Sequence, residues 1–306
     1  MILTKNSGVS VGAKPSVLDI VKLQGATKTP LLNMIGKGSV KNILHSWITD
    51  QVRAAGSNAQ LEVSGVGATP DGTKQKTSNV TQIIKNEVMI SMSQEAVDVY
   101  GKDELKHQLE KGALEHALDI EYSLFGLHNA DKFDSYTERV ANTTAAKMAG
   151  IFNYVPTSHR NDNSGTPRTL DMSAFEDVIL PLWENNNSTG NIKLFCSPLL
   201  QKRINEFAKD YIQHKNRDNT VDYRIMTVMT SWGNVDVIPH RFFTAANSLE
   251  NTMLALDPSS VAYKTLIPTK LTDVPTEDTA VIKRYYTEGT LEVKDNFGLV
   301  CGDDFQ

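Results

Sequence analysis

Residues 103–127 read DELKHQLEKGALEHALDIEYSLFGL and contain no proline. Leu105, Leu109, Ala113, Ala117, Ile120, Leu124 and Leu127 recur at steps of three or four. Leu114, Leu118 and Phe125 widen that stripe, as in an amphipathic helix with one broad buried face. Asp103 and Glu104 lie in the first turn, where acids favour the positive end of the helix dipole. Gly126, followed by His128 and Asn129, predicts the stop. At about 1.5 Å per residue the rod is about 37 Å long. Globular helices average only about 11 or 12 residues. A rod of this length spans a domain, and it is read as the spine on which the rest packs. Gly112, in its middle, has two readings. It is expected as a tolerated surface glycine; the sharper alternative is a strand crossing close over the helix.

Working outward, residues 43–48 (ILHSWI) predict a strand with Trp47 as its bulky anchor. Residues 51–78 are rich in Gly, Ser, Thr and Asn, with a Pro70-Asp71-Gly72 turn signal. From Val80 to Met92, apolar residues alternate with Thr81, Lys85, Glu87 and Ser91, as in a strand. Two strands joined by so long a tip make a projecting hairpin. A lone hairpin is marginal in water, so its stability must come from another surface, in this chain or in another copy. Residues 1–28 offer one short apolar patch, Val17 to Leu23, and suit an arm that needs a partner surface.

Beyond the spine, residues 156–169 (PTSHRNDNSGTPRT) form a loop and a boundary. Helices are expected from Leu170 to Glu184, capped near Asp171 or Ser173, and from Ser197-Pro198 to about Ala208. Short strands are expected at Ile192–Cys196, Asp222–Met229, Gly233–Ile238, Met253–Leu256 and Val261–Tyr263. The C-terminal β block is read as Val281–Tyr286 and Thr290–Lys294 around a Thr287-Glu288-Gly289 turn, then Phe297–Cys301. This last sheet is expected on the spine helix.

The 306-residue chain is long enough for a sizeable core, with 40% hydrophobic and 22% charged residues. Its net charge of −5 argues against a dedicated nucleic-acid binder. No apolar run approaches the roughly 20 residues of a membrane span, and the N-terminus lacks a signal-peptide core. The chain reads as made in a cytoplasm. The two cysteines, Cys196 and Cys301, form no ligand cluster and read as buried inert thiols. There is no phosphate loop, zinc spacing or nucleophile elbow. Glu104 with His107, His45 with Asp50, and Asp236 with His240 can be posed as metal or acid–base pairs. Further ligands or a nucleophile are missing for each, so no enzyme activity and no cofactor or metal are expected.

Several blocks together resemble one family. They are TPLLNMIGKGSVKNILHSWITD from Thr29, SNVTQIIKNEVMISMSQEAVDVYGKDELKHQLEKGALEHALDIEYSLFG from Ser78, KMAGI, FCSPLLQKRINEFA, VIPHRFF, LDPSSVAYKTLIP and RYYTEGTLEVKDNFGLV. The family is the major capsid (major head) proteins of tailed bacteriophages. The resemblance spans about residues 30–300 and is looser at MTVMTSWGNVDV and near residues 275–280. It implies an α+β shell fold of the Johnson type, shared with herpesviruses and encapsulins. On that pattern residues 1–40 are an N-terminal arm and 41–95 an extended hairpin loop. Residues 96–159 and 266–306 form a discontinuous peripheral domain, and 160–265 an axial domain.

The implied function is self-assembly, through hexamers and pentamers, into an icosahedral head that encloses double-stranded DNA. The alternative is an encapsulin-like compartment around a protein cargo. Trp47, Asp50, Arg53, Lys74 and Lys76 are the assembly-contact candidates. The implied partners are further copies of the chain, a portal, a separate scaffolding protein, a decoration protein, and packaged DNA without sequence specificity. No membrane is expected. The stretch before Thr29 is too short for a scaffolding domain. Locking by arm and hairpin is expected to be non-covalent, in virions assembled in a bacterial cytoplasm.

Overall fold

The computed structural model describes residues 29–52, 56, 57, 59, 62, 74–97, 104–185, 191–208, 227–276 and 278–306. Residues 1–28 of the expected arm, most of the hairpin tip, the first part of the strand expected at Asp222–Met229 and Arg53 lie outside them.

The chain enters through a helical turn α1 (Pro30–Met34), with proline at its first position. The strand β1 (Gly36–Ser39) follows. Then β2 (Leu44–Thr49) pairs antiparallel with β3 (Gln75–Val80) as a separate two-stranded sheet. A hairpin is there as expected, but its second strand is Gln75–Val80, mostly inside the stretch read as its tip, and not the Val80–Met92 run. Thr81 breaks the strand, and β4 (Gln82–Ser91) joins a different sheet. One continuous alternating run therefore serves two sheets. After the short helix α2 (Met92–Ala96), the spine α3 runs Glu104–Leu124. Gly126, at φ 77°, closes it, as predicted.

Four strands form the sheet over the spine, in the order β1, β10 (Val261–Val274), β11 (Ala280–Val293), β4. At about 3.3 Å per residue, β10 and β11 are each about 46 Å long. The expected Thr287-Glu288-Gly289 turn is instead the interior of β11, with Gly289 paired to Gln82. Sequence reading took the glycine for a turn. Its role is close approach: a Cβ there would sit 2.3 Å from the Tyr263 hydroxyl oxygen of β10. Likewise the strand expected to end at Tyr263 continues to Val274.

Gly112 follows the sharper of its two readings. It is buried, and a Cβ there would lie 2.8 Å from Val88 Cγ2 of β4 and 3.4 Å from Tyr285 Cε2 of β11. The buried face of α3 is accordingly rotated from the expected stripe. Gly112, His116, Ile120, Glu121 and Leu124 are buried, while Ala113 is exposed.

A second, six-stranded sheet has the order β5 (Arg160–Asn161), β12 (Leu299–Gly302), β9 (Met253–Leu256), β6 (Ile192–Cys196), β8 (Gly233–Pro239), β7 (Thr227–Thr230). Residues 297–301, expected on the spine sheet, are thus placed differently: β12 pairs with β9. Alternation along its strands makes two cores. Leu194, Cys196, Met253, Ala255 and Val300 face α4 (Met172–Asn185) and α5 (Pro198–Ala208). Phe195, Leu254, Leu256 and Leu299 face the end of the spine, with Leu124, Phe125 and Phe152. Both helices begin as predicted: Asp171 accepts from Ala174 N–H and Ser197 from Leu200 N–H.

Candidate assembly surfaces

The hairpin is anchored on one face and bare on the other. Facing the body, His45 Nε2 donates to Glu292 Oε2 of β11 at 2.6 Å, and Lys264 Nζ lies 3.7 Å from the same oxygen. Trp47 is half-buried and packs on Tyr154, with ring centres 5.7 Å apart. The Tyr154 hydroxyl donates to the Ser78 carbonyl, and burial raises that phenol's pKa. Asn79 is fully buried at the base. Its amide donates to the carbonyls of Ala149 and Leu291, and its oxygen accepts from Ala149 and Val80 N–H. On the opposite face Leu44 and Ile48 are 40% and 68% exposed, and Val52 beyond them is 97% exposed. Lys76 lies directly across from Ile48. Asp50 and Lys74 are exposed where the ladder ends. Of the assembly candidates, four therefore gather on one hairpin, with Trp47 on its inner side and Asp50, Lys74 and Lys76 outside. Arg53 lies outside the described residues.

The root of the arm is held just as firmly. Glu121, fully buried on the spine, accepts from Leu31 N–H at 3.1 Å and Leu32 N–H at 3.0 Å, the free donors opening α1. Its Oε1 also pairs with His240 Nε2 at 2.8 Å. One carboxylate thus ties the chain entry, the spine and the segment after β8. A second polar line crosses the spine and its sheet. His116 Nδ1 meets Asn86 Oδ1 at 2.6 Å and Nε2 meets Thr287 Oγ1 at 2.7 Å, while Asn86 Nδ2 donates to Asp119. Burial lowers the pKa of His116, which favours the neutral ring.

The acid–base pairs posed from the sequence are not brought together. His45 pairs with Glu292 rather than Asp50, and Asp236 pairs with Lys193 while His240 pairs with Glu121. Among the described residues no three His, Cys, Asp or Glu side chains converge as a metal site. Burial pushes both cysteine thiols up to about 12, so they are inert as nucleophiles. No described helix is long and apolar enough to cross a membrane.

Residues 3–304 match the sequence pattern of the family described as SU10 major capsid protein. The chain belongs to that family. Its similarity to the major capsid protein of Escherichia phage Phieco32 is 32% identity over 160 residues, covering 47% of this chain and 45% of that protein. The chain thus matches about half the length of that curated relative. Solved capsid structures share the fold. The Gordonia phage Cozz structure gives a TM-score of 0.64 at 11% identity, covering 97% of this chain and 92% of that one. The holo-SrpI encapsulin complex of Synechococcus elongatus gives 0.62 at 11% identity, covering 96% and 93%. The fold alone is therefore shared by phage capsids and encapsulins. The family match over nearly the whole chain points to a phage major capsid protein, a structural role.

Sequence reading missed the residues that root the projecting parts: Asn79, Glu121, Glu288 and Glu292. Glu288 is nearly buried between Thr81, Arg139 and Tyr286. The available signal was position. Glu121 directly follows Ile120 on a spine whose buried face runs through 112, 116 and 120. Glu288 and Glu292 lie in a strand whose neighbours are apolar or threonine.

Proposed function

We propose that the chain builds the icosahedral head of a tailed phage, through hexamers and pentamers that enclose double-stranded DNA. The observation that carries this is the hairpin: rooted by Asn79 and Glu292, it leaves Ile48 and Val52 largely exposed, with no apolar cover from the described residues. Apolar surface held out on a firm mount suits burial against another copy. Rings of identical subunits then use heterologous contacts that close around an axis. Trp47 seats the hairpin, and Asp50, Arg53, Lys74 and Lys76 serve contacts at its rim. Residues 1–40 act as the arm, 41–95 as the hairpin loop, 96–159 and 266–306 as the peripheral domain, and 160–265 as the axial domain, to which β12 adds a strand. Portal, separate scaffolding and decoration proteins complete the head in the host cytoplasm.

Electron cryomicroscopy of purified particles tests the reading. Closed shells containing DNA are expected, and deletion of residues 56–73, between β2 and β3, should leave a folded subunit that builds no stable shell. A compact monomer at high concentration with an ordered hairpin would overturn it. Shells filled with a protein cargo would favour the encapsulin-like alternative.

A further inference from the structure

The outer layer of the six-stranded sheet carries a feature that the hairpin contacts do not use. Trp183, at the end of α4, is 59% exposed and packs against Trp232 in the β7–β8 turn, with ring centres 5.0 Å apart. Exposed tryptophan is costly to leave in water, and this pair is held in place. The Glu176 carboxylate of α4 accepts from both the N–H and the hydroxyl of Ser231, at 3.1 and 3.0 Å, which pins the turn to the helix. The rim is acidic. Helix α4 carries Glu176, Asp177 and Glu184 and no lysine or arginine. Asp177 and Glu184, seven positions apart, share its exposed face. The carbonyl end of the helix dipole adds negative potential beside Trp183.

Helix α5, on the same side of the sheet, is the complement. Leu200 and Ile204 are buried, so Leu199, Lys202, Arg203 and Glu206 form its solvent stripe. Leu199 is 41% exposed. Among the described residues Arg203 pairs with Glu206, with both side chains nearly half exposed, and such pairs hold little. A leucine beside lysine and arginine suits a helix that carries an exposed tryptophan and two exposed carboxylates, Asp177 and Glu184. Arginine over a tryptophan face gains a cation–π contact, and tryptophan and arginine dominate strong interface positions.

We propose that the Trp183–Trp232 platform of one copy receives the Leu199–Lys202–Arg203 stripe of a second copy, as a subunit contact independent of the hairpin. This rests on the shell reading above. The test is a charge swap read by sedimentation velocity and electron microscopy of the full chain. Lys202→Glu with Arg203→Glu, and separately Asp177→Lys with Glu184→Lys, should each lower the assembled fraction at least tenfold. Combining all four in one chain should restore it, which a merely structural role would not do. A second measurement covers misfolding. Chains carrying only Asp177→Cys or only Lys202→Cys should give a disulfide-linked dimer when mixed and oxidised, since the native thiols are buried. Shells from both charge-reversed variants at wild-type yield, or no mixed dimer, would overturn this contact and leave the shell reading standing. A wild-type chain that forms no shells would overturn the shell reading itself.

Discussion

Substituting Gly112 by alanine separates two pictures of the spine by sign. On an exposed helix face, Gly→Ala stabilises by about 1 kcal/mol through helix propensity. Here the new methyl would arrive 2.8 Å from Val88 Cγ2 and 3.4 Å from Tyr285 Cε2. Val88 is a short, stiff side chain on β4, so it cannot swing away as a lysine tip would. Overpacking of this kind costs about 1 to 3 kcal/mol. The net expectation for Gly112→Ala is therefore between neutral and about 2 kcal/mol destabilising. Val88→Ala removes the colliding methyl and should restore the propensity gain. The double variant should then be more stable than the sum of the single effects by about 1 to 2 kcal/mol, a coupling expected only between touching residues. Thermal melting of the unassembled subunit by circular dichroism reads both quantities. A Gly112→Ala subunit that melts higher than wild type, with effects additive to those of Val88→Ala, would show that no strand crosses there.

Trp47→Ala should destabilise the subunit by about 2 kcal/mol, below the roughly 3 to 5 of a fully buried aromatic because the ring is half-exposed; an unchanged melting temperature together with wild-type assembly would show the ring to be dispensable. His116, His128 and His159 each have a pKa lowered from 6.5, chiefly by burial, so the unfolded chain binds more protons as pH falls through that value. Stability from these groups is complete above about pH 6.5 and is lost on acidification. Melting temperature should fall between about pH 7.5 and 5.5, and His116→Gln should flatten the slope; a melting temperature that rises on acidification would contradict this.

What could be read from the sequence was set by local chemistry. The spine, the starts of α4 and α5 and the strand Leu44–Thr49 each announce themselves through periodicity or a capping side chain within a few residues, whereas the polar strand Gln75–Val80 reads as loop. Asp171 and Ser197 cap their helices as their positions suggest. The misreadings share a different cause: a residue whose reason lies far away in the chain. Gly289 looks like a turn because Tyr263, which needs the space, is on another strand. The strand at Leu299–Gly302 looks like the next member of the preceding sheet, yet its partner is Met253–Leu256. Gly112 looks like a tolerated defect because Val88 and Tyr285 reach it only through the tertiary fold. At the proposed assembly surface, residue types alone marked Trp47 and the lysines. The anchoring role of Trp47 is legible; that it seats on Tyr154, more than 100 residues away, is not.

The buried polar residues explain how a projecting part keeps its direction. Apolar packing is non-directional, so a hairpin held by Trp47 alone could settle at a range of angles. Asn79 donates to the carbonyls of Ala149 and Leu291 while accepting from Ala149 N–H, which fixes β3 against two elements at once. Glu121 does the same for the chain entry, accepting from two consecutive backbone amides and pairing with His240. Burying such groups is costly unless every bond is made, and removing one partner of a buried ion pair typically costs about 3 to 5 kcal/mol. Replacing these groups by well-packed apolar residues of similar volume would often leave stability unharmed. Stability alone therefore does not account for their presence at the roots of the hairpin and the arm entry. On the proposed shell reading aim does: a subunit that meets its neighbours at fixed angles around closed rings needs its outward parts to leave the body in one direction.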